Sequence, residues 1–258
     1  MRNVLTSAAC IALGTLMSLS VNAGGIDKPS HGGHKVGKWY VRADVGQTAW
    51  HNYNGVISNQ INTGNTDMWP QWQMDKKTQF GVGVGRCLPF HLRTDLLMQR
   101  TGMSSMMSRN TAIRSIGYGD LYGSVQSTST FLNFYWDLKG YSHLLSRWGV
   151  NPYLGVGAGL AQNKMGAITE MSQGTQNIVA HIPEHTNWAA AQQYGGGIMY
   201  SFGKTPFSLD FSAMHVDTGE ARSAAQMDVN SSSEEQLISP AAVKLRGSRW
   251  NVGLHYKF

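Results

Sequence analysis

Ser248-Arg249-Trp250-Asn251-Val252-Gly253-Leu254-His255-Tyr256-Lys257-Phe258 decides the fold of this chain. Successive side chains of an extended strand point to opposite faces. Trp250, Val252, Leu254, Tyr256 and Phe258 therefore share one face, and Arg249, Asn251, Gly253, His255 and Lys257 share the other. One face is wholly apolar, the other polar and basic. A soluble sheet would bury the first face; a wall standing in lipid would turn it outward and line a polar lumen with the second. The length of about ten residues is what a tilted strand needs to cross a bilayer.

The same rule recurs towards the N-terminus. Phe207, Leu209, Phe211 and Ala213 alternate with Ser208, Asp210, Ser212 and Met214, and residues 188–202 set Tyr194, Ile198, Tyr200 and Phe202 against Gly195, Gly197, Met199 and Ser201. In residues 151–162, Pro152, Leu154, Val156, Ala158 and Leu160 oppose Tyr153 and three glycines, small inner residues that make room for bulky neighbours across the lumen. Residues 126–138 put Thr128, Thr130, Leu132, Phe134, Trp136 and Leu138 opposite Ser129, Phe131, Asn133, Tyr135 and Asp137. From His91, Leu92, Thr94, Leu96 and Met98 oppose Arg93, Asp95, Leu97 and Gln99; residues 78–86 place Phe80, Val82 and Val84 against Gln79 and three glycines. Residues 38–46 set Trp39, Val41, Ala43 and Val45 against Tyr40, Arg42, Asp44 and Gly46.

These eight segments predict an all-β fold, an eight-stranded antiparallel transmembrane β-barrel of outer-membrane type. Connections 51–77, 101–125, 163–187 and 217–247 are long and polar, whereas 87–90, 139–149 and 203–206 are shorter. That is the pattern of four long extracellular loops and short periplasmic turns. Trp39, Trp136, Tyr200, Phe202, Phe207 and Phe258 fall at the turn ends, as an interfacial girdle requires. A soluble barrel shares the period but has no need of that girdle.

Upstream, Met1-Arg2-Asn3 precedes an uncharged run from Val4 to Val21 and the ending Val21-Asn22-Ala23. This basic, apolar, small-residue order reads as a signal peptide over 1–23, followed by a short periplasmic leader over 24–37 and the barrel domain over 38–258. Cys10 sits too early for a lipoprotein site, and Cys87 alone remains in the mature chain, so no intramolecular disulfide is expected. Charged residues make up only 14% of the chain, with 30 glycines among 258 residues, so water-facing surface is scarce. The net charge of +6 is spread without a basic stripe, which argues against nucleic acid as a partner.

Three stretches carry a resemblance to a known family: residues 38–46, the glycine-rich residues 152–159 and residues 250–258. Together they resemble the opacity-protein-like and OmpA/OmpX-like small outer-membrane β-barrels, of the alphaproteobacterial surface-antigen type. The resemblance implies an outer-membrane location, and eight strands with both ends on the turn side place both mature termini in the periplasm. It also implies that Trp250, Tyr256 and Phe258 form the signal read by the barrel assembly machinery. Function it specifies poorly, because such barrels serve membrane stability, adhesion and haem binding on one architecture.

An eight-stranded barrel is just wide enough to be filled by its own side chains. Arg42, Asp44, Arg86, Arg93, Asp95, Asp137, Asp210, Arg249, His255 and Lys257 are expected to form a lumen network of ion pairs, since unpaired charges there are costly. Ser212, His215 and Glu220 are the best set for a lipid-modifying enzyme, but Ser212 and His215 fall on opposite strand faces. His31, His34, His51, His181, His185 and the methionines 103, 106 and 107 show no recognised ligand spacing, and Tyr118 and Tyr122 suit a binding loop and a merely flexible one equally. No enzyme activity, cofactor or metal is expected. The reading is an integral barrel with a structural or surface-interaction role: envelope integrity, adhesion or surface antigen. Its partners would be outer-membrane lipid and lipopolysaccharide, and a host or surface ligand at the loops. The alternatives are a haem or small-ligand receptor and a narrow channel.

Overall fold

The computed structural model describes residues 39–54, 57–58, 67–68, 71–111, 119–138, 148–172, 177–203, 205–229, 232–237 and 240–258. The expected signal peptide and leader lie outside the described residues, as do His31, His34 and Tyr118. In chain order the strands are β1 (Trp39–Trp50), β2 (Tyr53–Asn54), β3 (Ile57–Ser58), β4 (Asp67–Met68), β5 (Gln71–Met74), β6 (Lys77–Cys87), β7 (Leu92–Thr101) and β8 (Ser104–Thr111). There follow β9 (Gly119–Asp137), β10 (Val150–Met165), β11 (Ile168–Ser172), β12 (Ile178–Ile182), β13 (His185–Ser201), β14 (Phe207–Arg222), β15 (Gln226–Val229), β16 (Ser232–Leu237) and β17 (Ala242–Lys257).

Eight of them close a ring. β1 pairs with β6, β6 with β7, β7 with β9, β9 with β10, β10 with β13, β13 with β14 and β14 with β17, all antiparallel. β17 then returns to β1, with Tyr40 opposite Lys257 and Trp50 opposite Gly247. Closure leaves the ring without an exposed edge, the one sheet arrangement whose backbone polar groups are all satisfied in lipid. Each ring strand buries one phase and exposes the other. Phe80 and Trp250 are each 65% exposed, while Tyr40, Phe131 and His255 are wholly buried.

The strands are longer than their sequence segments, which corrects the expected loop boundaries. Where they are described, the connections 101–125, 163–187 and 217–247 are largely strand: β8, β11, β12, β15 and β16 lie in them, and β9, β10, β14 and β17 run on into them. Above the ring, β9 pairs with β8 and β11, β5 with β8, and β11 leads through β12 and β15 to β16.

The phase of the side chains persists along β9, β10 and β17 while its chemistry reverses. In the turn-end part of β17, Trp250, Val252, Leu254 and Tyr256 are exposed over buried Arg249, Asn251 and His255. In its loop-end part, Val243, Leu245 and Gly247 are buried, while Lys244 and Ser248 are half-buried and Arg246 is exposed. β9 and β10 behave alike: Leu121, Val125, Ala161 and Met165 are buried beside outward-phase Tyr122, Gln126, Gln162 and Lys164. One wall is thus built for lipid at the turn end and for water at the loop end.

Inner glycines seat the lumen's tyrosines. A Cβ on Gly155 would lie 2.7 Å from Tyr135 Cδ1, one on Gly197 would lie 2.6 Å from the Tyr153 hydroxyl oxygen, and Gly85 faces the ring of Tyr40 in the same way. No larger residue fits without moving a ring.

Candidate functional site

Three layers fill the inside of the ring. At the turn end, β1 projects Arg42 towards three acids, Asp44 of its own strand, Asp95 of β7 and Asp210 of β14. Its Nη2 lies 2.9 Å from Asp44 Oδ2 and 3.7 Å from Asp210 Oδ2, and its Nη1 lies 3.1 Å from Asp95 Oδ2. Nη1 also donates to the Tyr135 hydroxyl at 2.9 Å. Asp95 accepts from Tyr40 at 3.1 Å and from Asn133 at 2.8 Å; Asp210 accepts from Tyr153 at 2.8 Å and faces His255 Nε2 at 3.2 Å. Arg93 Nε donates to Asp137 at 2.8 Å, and its guanidinium lies over the rings of Tyr135 and Tyr153, 5.0 and 4.9 Å from their centroids. Arginines and aspartates this buried are tolerable because each is both paired and hydrogen-bonded.

The middle layer consists of amides, hydroxyls and one guanidinium. Thr48 donates to Gln79 at 3.1 Å, Gln79 donates to Asn251, and Asn251 donates to Ser212 at 3.3 Å. Arg249 joins the layer by donating to Gln99 and, at 3.3 Å, to Thr48. Gln193 donates to Asn133 at 2.7 Å and ties this layer to the one below. The loop-end layer is a hydrophobic core built on Trp50, Trp72, Met106, Leu121, Ile168 and Leu245.

The structure brings together most of the residues expected in the lumen: Arg42, Asp44, Asp95 and Asp210 with His255, Arg93 with Asp137, and Arg249 above them. Arg86 is a correction. It shares the outward phase of Phe80, Val82 and Val84, and its guanidinium lies 5.6 Å from the centroid of the Trp39 ring, its partner across the β1–β6 ladder. Lys257 is half-buried at the turn-end rim. Trp250, Tyr256 and Phe258 are on the outer wall, where Phe207 and Phe258 flank Tyr256 at 5.2 and 6.3 Å between ring centroids.

Ser212 is buried against Asn251, whereas His215 is on the outer phase between Tyr194 and His51, at 5.0 and 5.9 Å between ring centroids, so Ser212 and His215 are not brought together. Among the described residues no group of three or more His, Cys, Asp or Glu is placed to hold a metal ion. Met106 belongs to the loop-end core, and Met103 is exposed.

Sequence reasoning missed that core and a seam beside it. β13 and β14 pair only from Gln192 opposite Asp217 to Ser201 opposite Ser208. Beyond Asp217, β14 bulges through Gly219, whose φ is +76°. Side chains replace the missing ladder: Asn163 Nδ2 donates to the Thr218 carbonyl at 2.7 Å, and Asn187 Nδ2 donates to the Glu220 carbonyl at 2.8 Å. Asn187 Oδ1 accepts from the Arg222 amide at 2.9 Å. The signal for the core was Val243 and Leu245 alternating with Lys244 and Arg246; the two asparagines carried no signal in a polar stretch.

No protein-family model matches the chain, and no curated protein matches it in sequence. Similar solved structures include the outer membrane protein OprG from Pseudomonas aeruginosa, with 13% identity, 88% of this chain and 98% of that chain covered, and a TM-score of 0.56. Neisserial surface protein A is similar at 15% identity over 85% of this chain and 97% of that one, TM-score 0.44. The outer membrane protease OmpT from Escherichia coli is similar at 7% identity over 86% and 96%, TM-score 0.47. The likeness to OprG is one of fold, that of the small outer-membrane β-barrels; the other two are too loose to bear on this chain.

Proposed function

We propose that this chain is an integral outer-membrane barrel, filled along its length, that works at the cell surface through envelope integrity, adhesion or antigen display. The observation that carries this reading is the reversal along β9, β10 and β17. Their turn-end halves turn apolar side chains outward over an ionic lumen, and their loop-end halves enclose an apolar core within a polar exterior. The first half suits a bilayer and the second suits water, so the barrel would stand proud of the membrane and present a rigid sheet beyond it.

On this reading residues 1–23 are removed on export and both mature termini lie in the periplasm. The strand carrying Trp250, Tyr256 and Phe258 would be offered to the assembly machinery by strand addition. The lumen charges hold the wall together, and the packed layers leave the channel alternative without an observation in its favour. Outer-membrane fractions should show heat-modifiable gel mobility, and deleting Phe258 should lower the yield of the fast-migrating form. In planar bilayers the purified protein should give no stable conductance. Recovery as a soluble periplasmic protein without a mobility shift would sink the proposal.

A further inference from the structure

The outer wall is apolar but not evenly filled. A groove of about 820 Å³ lies on it across β13, β14, β17, β1 and β6. Register explains its shape. Gly196 is opposite Ala213, Ala213 opposite Trp250, Trp250 opposite Gln47 and Gln47 opposite Thr78, and all five line the groove. A row of outward positions thus begins with the two smallest residues and then meets an indole that is 65% exposed. Ile198, Phe211 and Val252 form the turn-end side. The result is an apolar trough in the loop-end half of the lipid-facing wall.

One row nearer the loop end, Tyr194 is opposite His215, and His215 is opposite Ser248. The His215 ring lies 5.0 Å from Tyr194 and 5.9 Å from His51. One row further, Arg246 is opposite Asp217, with Nε 3.3 Å from Oδ2, and the His51 amide donates to the Arg246 carbonyl at 2.8 Å. Asp217 is mostly buried and also accepts from the Gly219 amide at 3.0 Å, so it orients Arg246, whose side chain remains 49% exposed. A guanidinium, paired on one side with Asp217, and two imidazoles therefore stand on the loop-end side of an apolar trough.

We infer that this trough and its collar bind one phosphorylated, multiply acylated glycolipid of the outer leaflet, with a chain along Gly196 and Ala213 and a headgroup phosphate against Arg246 and the His51–His215 pair. The inference rests on the outer-membrane reading above. Arginine suits the phosphate because its planar donors match two oxygens at once, and the loop-end half of the wall faces the outer leaflet, where on the outer-membrane reading the lipid is glycolipid.

Native mass spectrometry tests it on the full-length mature protein in detergent. Only preparations showing heat-modifiable mobility are used, so failure of the barrel reading is recognised before any lipid is added. The probes are a bis-phosphorylated hexa-acyl lipid A, its dephosphorylated form and phosphatidylglycerol. One lipid A per barrel is expected to survive desolvation. Retention should fall roughly tenfold for the dephosphorylated lipid, for Ala213→Phe, which fills the trough, and for Arg246→Gln, which removes the guanidinium from the collar and leaves the trough residues in place. Equal retention by wild type and both variants, or equal retention of phosphatidylglycerol, would overturn the assignment.

Discussion

Arg42 and Asp95, 53 residues apart in sequence, meet inside the barrel with Nη1 3.1 Å from Oδ2. The bond runs from β1 to the second strand along the ring and holds the wall from within. Asp95→Ala would leave the guanidinium without one of its acids, Asn133 without its acceptor, and Tyr40 and Tyr135 without the carboxylate they donate to. The expected cost is about 3 kcal/mol. Arg42→Met combined with Asp95→Leu should recover most of it, because neither charge is then buried alone. Urea unfolding of the refolded barrel, followed by loss of the fast-migrating band, checks both.

The reversal along β17 predicts opposite responses to substitution on one outer face. Leu254→Arg puts a charge where lipid is expected and should cost about 2–4 kcal/mol near the bilayer midplane. Lys244→Leu, ten residues away on the same phase, should change stability by less than about 0.5 kcal/mol. With Cys87 replaced by serine, a cysteine at 246 should react with a membrane-impermeant maleimide and one at 252 should not. Equal labelling at both positions would contradict the reversal.

This reversal also explains how far the fold was legible. Residues 248–258 announce themselves because apolar and polar residues alternate in lipid order. The preceding Val243, Lys244, Leu245 and Arg246 keep the strand phase, but their charged members face water, so the stretch reads as polar loop. β9 is similar: Phe134 and Trp136 mark its turn end, while serines and threonines hide its loop-end half. Arg86 was misplaced because its charge suggested the lumen, although parity with Phe80, Val82 and Val84 puts it outside. That Arg42, Asp44, Asp95 and Asp210 share the lumen followed from their common inner phase, but which acids Arg42 meets did not. The stitching by Asn163 and Asn187 did not, because side-chain repair of a missing ladder depends on a bulge that only the folded chain creates.

The turn between β6 and β7 carries strain. Phe90 and His91 have φ of +59° and +61°, the left-handed region that L-residues with bulky side chains avoid. Phe90 is also 86% exposed. Phe90→Asn keeps the conformation with a residue that accepts it and should stabilise the barrel in detergent by roughly 1 kcal/mol. An unchanged or lower urea midpoint would show that the ring is anchored by contacts worth more than the backbone strain.

The seam between β13 and β14 is held by side chains where its ladder stops. Beyond Asp217 the two strands share no ladder, and the Thr218 and Glu220 carbonyls depend on Asn163 and Asn187. Leucine at 163 matches the volume but takes the donor from the Thr218 carbonyl, and leucine at 187 takes one of two donors from the Glu220 carbonyl and the acceptor from the Arg222 amide, at about 1–3 kcal/mol each where water cannot reach. The double variant Asn163→Leu, Asn187→Leu should therefore open locally while the ionic layer stays closed. Hydrogen exchange followed by proteolysis and mass spectrometry should show faster exchange in residues 185–191 and 218–222, by roughly tenfold for each 1.4 kcal/mol lost. Peptides covering residues 39–46 and 250–257 should exchange as in wild type. Uniform acceleration across the chain would mean that the asparagines support the whole ring and not the seam.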